Sequence, residues 1–525
     1  MQRNTEKGTR KRASTPSYVS PNQLTLDGFE TPFEQKLSKE NRWVKLGKVI
    51  AWDNIVPYYD KLFTSKEGRP PISGRVVLGC IIIKHLLDLT DRETIEQVRE
   101  NMFMQYFLGY SSFTNEAPFS ASLFVEIRER LNFEILSKIN EIIVIHNIRH
   151  EEVEQGIKKE SDKKEPPVDD KGSVETDEKE LVTAALEENP LPENKPKGKL
   201  LMDATVAPQN ITFPTDLKLL DAAREKSEEI IDKLYNPALH GKVKVRTYRQ
   251  LARKAFLNSA KKKQKSNKEI YKSNGQQIRY LKRNLGHIET LLKEYHEFPL
   301  TPREQKYLMV FHTVNEQQEQ MHRTHSKRIE HRIVSIHQPQ VRPIVRGKEN
   351  AKVEFGSKIQ VSLVEGYTFI DHHSWEAFNE GGYLMPSVEK YKQRLGYYPA
   401  EVHADGIYCT RENRQQLKTL GIKLIAKPLG RPSATAVKNH VRPGERNPIE
   451  GKFGQGKVKY GLDKIRAKLP TTSISWIAAI ALVLNLVRLT RQALLSLLYC
   501  RFIICNRSYK WDLVAKFGQN LFLSF

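Results

Sequence analysis

The order of secondary-structure patterns between Lys197 and Val487 restricts this chain more than any single residue does. Leu200-Leu201-Met202 is a short apolar run of strand type, and a polar stretch of helical periodicity, about 209–340, follows it. Lys352–Leu363 then alternates with period two, Gly366 turns the chain, and Tyr367–Asp371 continues it, which predicts a hairpin. Helix patterns at Ser387–Leu395 and Thr410–Leu420 separate two further strand patterns, one from Glu401 towards Asp405 and one over Ile422–Lys427. Residues 473–487, SISWIAAIALVLNLV, form the most apolar run. That run falls short of the roughly 20 residues that cross a bilayer, so it reads as a core helix closing a sheet. This order predicts an α/β fold: a mixed sheet flanked by helices, with a long helical insert after the first strand.

With 525 residues the chain exceeds one ordinary core. Residues 1–25 read as a basic, disordered arm. Residues 26–148 read as a separate all-helical domain. In it Arg75–Leu89 is apolar nearly all round, Thr90 or Asp91 caps a helix with Glu93, and Ser120 or Ser122 opens another. These helices predict either a helix-turn-helix, with Arg99, Arg128 and Arg130 facing DNA or solvent, or a plain bundle. Residues 149–197 are acidic and nearly free of large apolar side chains, the composition of a disordered linker. Residues 198–505 hold the predicted sheet, and 506–525 form a tail. In the insert, Asp216–Leu234, Asn267–Tyr295 and Pro302–Ile333 read as helices, the last two as a hairpin, and Tyr248–Lys265 carries a dense basic run. That basic surface fits either solvent or a long DNA segment. Asp216 and Asp221 read as solvated, as do His312, His322, His325, His331 and His337.

The formal net charge is +23, from 85 basic and 62 acidic residues. Such an excess favours a polyanionic partner and salt-dependent binding, although a basic ribosomal or membrane-surface protein shares it. The four cysteines form no CxxC pair, which argues against a zinc ribbon or a disulfide framework and fits a reducing cytoplasm. The basic N-terminus has no apolar segment after it and does not read as a secretory signal.

Three acids stand out against this background. Asp203 follows the first strand pattern, Asp405 lies in Glu401-Val-His-Ala-Asp-Gly406, and Glu450 lies in Arg446-Asn-Pro-Ile-Glu-Gly-Lys-Phe-Gly-Gln-Gly-Lys457. A turn or a solvated loop would account for each alone. Together, on separate elements of a basic chain, they suggest carboxylates holding divalent ions for phosphodiester chemistry, which needs charge neutralised at the attacking and leaving oxygens. Asn447-Pro448 reads as a helix start, which puts Lys457 two turns past Glu450 on one face. Gly451, Gly454 and Gly456 are poor helix formers whose presence suits close approach by a DNA backbone. Asp371-His372-His373 reads as a strand-end turn or a transition-metal site, and Glu445 could pair with Arg446.

The set resembles the DDE transposases of bacterial insertion sequences. Arg446-x3-Glu450-x6-Lys457 has the spacing of that family's third-acid motif, Tyr-x2-Arg-x3-Glu-x6-Lys, with Pro443 at the tyrosine position. Asp405-Gly406 is similar to its second-acid motif and Asp203-Ala-Thr205 to its first. Residues 26–148 look like the N-terminal domain of one large branch. The resemblance implies a ribonuclease H-like catalytic domain and metal-dependent DNA cleavage followed by strand transfer. Asp203, Asp405 and Glu450 would be catalytic and would bind two Mg2+ ions, with Mn2+ able to substitute; Asp203 would be shared by both. Arg446 and Lys457 would hold end DNA, and the insert would contact transposon ends or a partner subunit. Double-stranded DNA would be the partner, in a homodimer or larger synaptic complex, in the cytoplasm with the nucleoid and without a membrane. A nuclease lacking strand transfer and a non-catalytic DNA-binding derivative are the alternatives.

Overall fold

The computed structural model describes residues 37–63, 71–161, 195–345, 353–426 and 446–491. Its centre is a mixed six-stranded sheet of β1 (Lys199–Pro208), β2 (Arg342–Val345), β3 (Val353–Val364), β4 (Tyr367–Ser374), β5 (Glu401–His403) and β6 (Lys423–Ile425). β1 lies in the middle, antiparallel to β3 and parallel to β5, and β6 continues the parallel side. β4 and β2 both pair with β3. The predicted hairpin is therefore present, with Glu365 and Gly366 both at positive φ in its turn.

Alternation along β1 divides the sheet into two faces. Leu200 and Met202 point into a core shared with the N-terminal helices, while Ala207 joins a second core under the helix Asn447–Tyr460. The helix Pro470–Arg491 serves both cores, giving Leu482 and Leu486 to the first and Ile477, Ile480 and Leu484 to the second. This explains why it is apolar all round: 89% of its most apolar window is buried in the protein, although its length and composition would suit a bilayer.

The N-terminal helices are Arg42–Val49, Trp52–Asp60, Gly74–Leu86, Asp91–Glu100, Met102–Phe107, Leu123–Arg130 and Phe133–Ser161. They do not stand apart as the expected separate domain. Trp52, Val77, Phe107 and Ile143 belong to the same continuous core as Met202 of β1 and Tyr367 of β4. A buried amide node ties the layers together. Asn485 Nδ2 donates to Asn140 Oδ1 and to Thr368 O, both at 2.8 Å, and Thr368 N donates to Asn485 Oδ1 at 2.7 Å. Thr90 and Glu93 form the expected capping box. The last helix runs through Ser161, so the start of the expected linker is helical; residues 162–194, like the arm 1–25 and the tail 506–525, lie outside the described residues.

The insert folds as Asp216–Leu234, Pro237–His240, Arg249–Lys261, Asn267–Lys293 and Pro302–Arg323. It has its own apolar core, to which Leu220, Ile231, Leu281, Ile288 and Phe311 contribute. The expected hairpin is thus a bundle, because Asp216–Leu234 packs against both long helices.

Candidate active site

Parallel pairing of β1 with β5 aligns Leu201 with His403. Asp203 and Asp405 each lie two residues further on, so strand register alone brings them side by side. Asp203 is not at a strand tip, as expected, but in mid-strand: β1 continues to Pro208 because β3 supplies antiparallel partners as far as Gly356. Asp405 follows the short β5 and caps a single 3₁₀ turn, Gly406–Tyr408, by accepting from Gly406 N at 2.7 Å. The third acid comes from the helix Asn447–Tyr460. Its first residue is Asn447, with Arg446 in the capping position and Pro448 in the first turn. Arg446 and Glu450 are one turn apart, and Glu450 N donates to Arg446 O at 3.4 Å.

Arg446 joins these elements. Its Nη2 lies 3.0 Å from Asp203 Oδ2 and its Nη1 3.2 Å from Asp405 Oδ1, so the two carboxylates are no further apart than one guanidinium can bridge. Glu450 and Lys457 line the same cleft, which has a volume of ≈ 820 Å³. Lys457 Nζ lies 3.9 Å from Glu354 Oε1 of β3. A Cβ placed on Gly451 or Gly454 would meet nothing within 4 Å, so these positions leave the helix surface bare, whereas Gly456 packs on Leu462.

A fourth carboxylate, Glu380, lines the cleft and pairs with Lys358 Nζ at 2.8 Å. The sequence offered no sign of it beyond the Glu380-Gly381-Gly382 turn, because Lys358 reaches it from a different strand. Burial raises the Asp203 carboxyl above its ordinary value. Arg446 and the N–H of Ala204 oppose that rise, and Glu380 and Asp405 add to it. Beneath the cleft, burial raises the Tyr408 phenol, whose hydroxyl donates to Gln360 Oε1 at 2.8 Å.

The donor set is one of hard carboxylate oxygens, which suits a divalent ion such as Mg2+ rather than a soft transition metal. Among the described residues no three His, Cys, Asp or Glu side chains converge closely enough to form a metal cluster. Arg446 instead supplies positive charge between Asp203 and Asp405, and a cation there would have to replace it.

Other candidates have structural roles. Arg128 is buried and grips Asp91 through two hydrogen bonds of 2.8 and 2.9 Å, so it is neither a DNA contact nor a solvated residue. Arg99 donates to Asn115 O and pairs with Glu96, and Arg130 pairs with Glu126, but both side chains stay partly exposed, in keeping with the solvent-facing alternative. Asp371 is no turn residue: β4 runs on to Ser374, the register shifts opposite Gln360 and Val361, and Asp371 meets Arg394 Nη1 at 2.8 Å. His372 stacks on Tyr383 and His373 meets Phe133 edge-on. Asp221 is buried against Arg224, and Asp216 accepts from Arg332 and Gln318. Pro443 and Glu445 lie outside the described residues.

Comparison with known proteins adds to this geometry. Residues 31–130 match the family model described as Transposase domain (DUF772), and residues 402–487 match Transposase DDE domain. The second match contains Asp405, Arg446, Glu450 and Lys457; Asp203 and the insert fall outside both. The chain is also 31% identical over 105 residues to an uncharacterized protein of Rhizobium meliloti, ORF8 in the nfe locus. That alignment covers 20% of this chain and 50% of the relative, so the chain spans about half the length of the curated protein it matches. No solved structure matches it.

Proposed function

We propose that the chain is an insertion-sequence transposase of the DDE type, a reading its two matched domains support, and that it cleaves the ends of an insertion sequence and joins them to target DNA. The observation that carries the proposal is the meeting of Asp203 and Asp405 at one guanidinium, with Glu450 one helical turn from that arginine. The strand order, with β4 beside β3, β3 antiparallel to β1, and β5 and β6 parallel to β1, supports a ribonuclease H-like sheet.

In this reading Asp203, Asp405 and Glu450 would hold two Mg2+ ions, whose charge would stabilise the attacking and leaving oxygens of a phosphodiester. Water attacks the phosphorus at the element's end, the bond to the 3′-oxygen breaks, and a 3′-hydroxyl is released. That hydroxyl then attacks a target phosphorus; the new bond to the element's 3′-oxygen forms as the target's own phosphorus–3′-oxygen bond breaks, which leaves a 3′-hydroxyl on the cut target strand and no covalent link to the protein. Arg446, once displaced from between the aspartates, is placed to bind a phosphate beside the cut, and Lys457 to bind another two turns along the same helix. Gly451 and Gly454 let a DNA backbone approach between them. Assembly as a dimer or larger complex, which would hold two ends together, belongs to the same proposal.

The test uses duplexes carrying the inverted repeats that flank the coding region. Incubation with Mg2+ is expected to give end-specific cleavage, and pre-cut ends are expected to join to a target plasmid. Cleavage without joining would reassign the protein as a nuclease. Unchanged behaviour in a chelator, in both assays, would overturn the catalytic reading.

A further inference from the structure

The insert lines no part of the catalytic cleft and lies outside both matched segments. We propose that its outer face, the helix Arg249–Lys261 with the turn that follows, is a second DNA-binding surface that grips the phosphate backbone without reading sequence. The choice of DNA over RNA rests on the transposase reading; the choice of a polyanion does not.

Residues 242–265 contain ten Lys and Arg and no Asp or Glu, and all ten are exposed. The helix buries only Ala252, and Leu251 is 57% exposed. It is fastened to the bundle mainly by polar contacts: Gln277 Nε2 donates to Ala252 O at 3.1 Å, and the Ser259 and Ser273 hydroxyls meet at 2.7 Å. Apolar burial therefore does not account for this helix.

A helix so polar is ordinarily supported by acids one turn away, and this one has none. Acids of the neighbouring helix face only its start, where Glu225, Glu228, Glu229 and Asp232 share a cleft with Arg249 and Arg253. Asp232 takes Lys244 and Arg249, and Glu269 takes Lys262. Lys254, Lys261, Lys263 and Lys265 have no acidic partner among the described residues. Inside the same bundle the charge is balanced: Arg224 is held between Asp221 at 2.6 Å and Glu228 at 2.7 Å. Positive charge is thus segregated outward, where its self-repulsion is relieved by a polyanion.

The start of the helix is stiffened. Tyr248 has φ 56 and lies between the guanidinium groups of Arg246, 4.6 Å from its ring, and Arg283, 4.7 Å away. Two arginines from different elements are so held in place on the basic side. A helix of 13 residues is about 20 Å long, and duplex DNA carries one charge per roughly 1.7 Å, so several phosphates fall within its reach. The large exposed aliphatic side chains of this segment, Val243, Leu251 and Leu257, do not line up on one helix face, which disfavours an anionic membrane as the partner.

The experiment compares the full chain with K254Q/K261Q/K263Q/K265Q. Binding to a duplex of about 30 bp lacking the element's ends is followed by fluorescence anisotropy, in chelator, across a salt series. The slope of log K against log salt is expected to shrink by about 3.6 in the variant, with at least a roughly tenfold loss of affinity near 0.15 M salt. The quadruple variant should keep metal-dependent cleavage of an end duplex at low salt; this arm separates failure of the surface from failure of the catalytic reading. The four lysines are exposed, so the melting temperature should hold. If it does not, the single variants Lys254→Gln and Lys263→Gln, each expected to reduce the slope by about 0.9, decide the matter. An unchanged slope, or a loss seen only with RNA or anionic vesicles, would overturn the proposal.

Discussion

Asp203 is pulled in opposite directions by its surroundings. Burial raises its carboxyl, with Glu380 and Asp405 adding to the rise, and Arg446 only partly offsets it. A carboxyl raised in the folded state adds stability below its unfolded value and loses it as pH rises through the folded value. At neutral pH the ionised Asp203 therefore costs stability in the metal-free protein. Asp203→Asn is expected to raise the melting temperature at pH 7, with the gain fading below about pH 4. An equal or lower melting temperature at pH 7 would mean that the arginine pair outweighs the burial. Arg446 makes a second prediction. Because its guanidinium lies where a cation would sit, Arg446→Ala should tighten Mn2+ binding severalfold, measured by the free-Mn2+ resonance signal, while cleavage falls. Weaker Mn2+ binding in that variant would assign the arginine to holding the site together. Burial also explains Lys84 and His85 of the helix Gly74–Leu86: both are shifted down by it, and Asp91 steadies Lys84 at 2.9 Å.

At the scale of elements, the amide node on Asn485 makes the helix Pro470–Arg491 more than an apolar rod. Asn485→Leu would strand the N–H of Thr368 and the carbonyl of Asn140 in the core, at a cost of about 2–4 kcal/mol, read from the urea midpoint. A change under about 0.5 kcal/mol would show that the layers are joined by apolar contact alone. The same elements indicate what could be read from the residues in order. Local signals were legible: Thr90 with Glu93 as a capping box, the helix Asp216–Leu234, and the hairpin turning at Gly366. The three acids and their basic neighbours could be singled out from their marked local settings, and the fold lines one cleft with them; their catalytic role is a proposal. What was not legible depends on distant partners. Asp203 lies within a strand because β3 pairs beyond it, and Asp371 fills a bulge because Arg394 waits across the core. Arg128 is buried because Asp91 receives it, and Glu380 joins the cleft through Lys358.

The whole molecule distributes its charge of +23 unevenly. The cleft gathers acids at the centre of the sheet, while the outer helix of the insert gathers bases. A duplex spanning both would be steered by the bases and cut at the acids, so affinity and catalysis should respond to different substitutions. Raising salt should weaken end binding steeply while leaving the cleavage rate of bound DNA nearly constant. The most direct test of the account is single-turnover cleavage of an end duplex, in Mg2+, by Asp203→Asn, Asp405→Asn and Glu450→Gln. Each is expected to lose at least about a thousandfold in rate while binding the duplex as the unaltered protein does. Near-normal cleavage by any one of the three would contradict the claim that these carboxylates form one catalytic site.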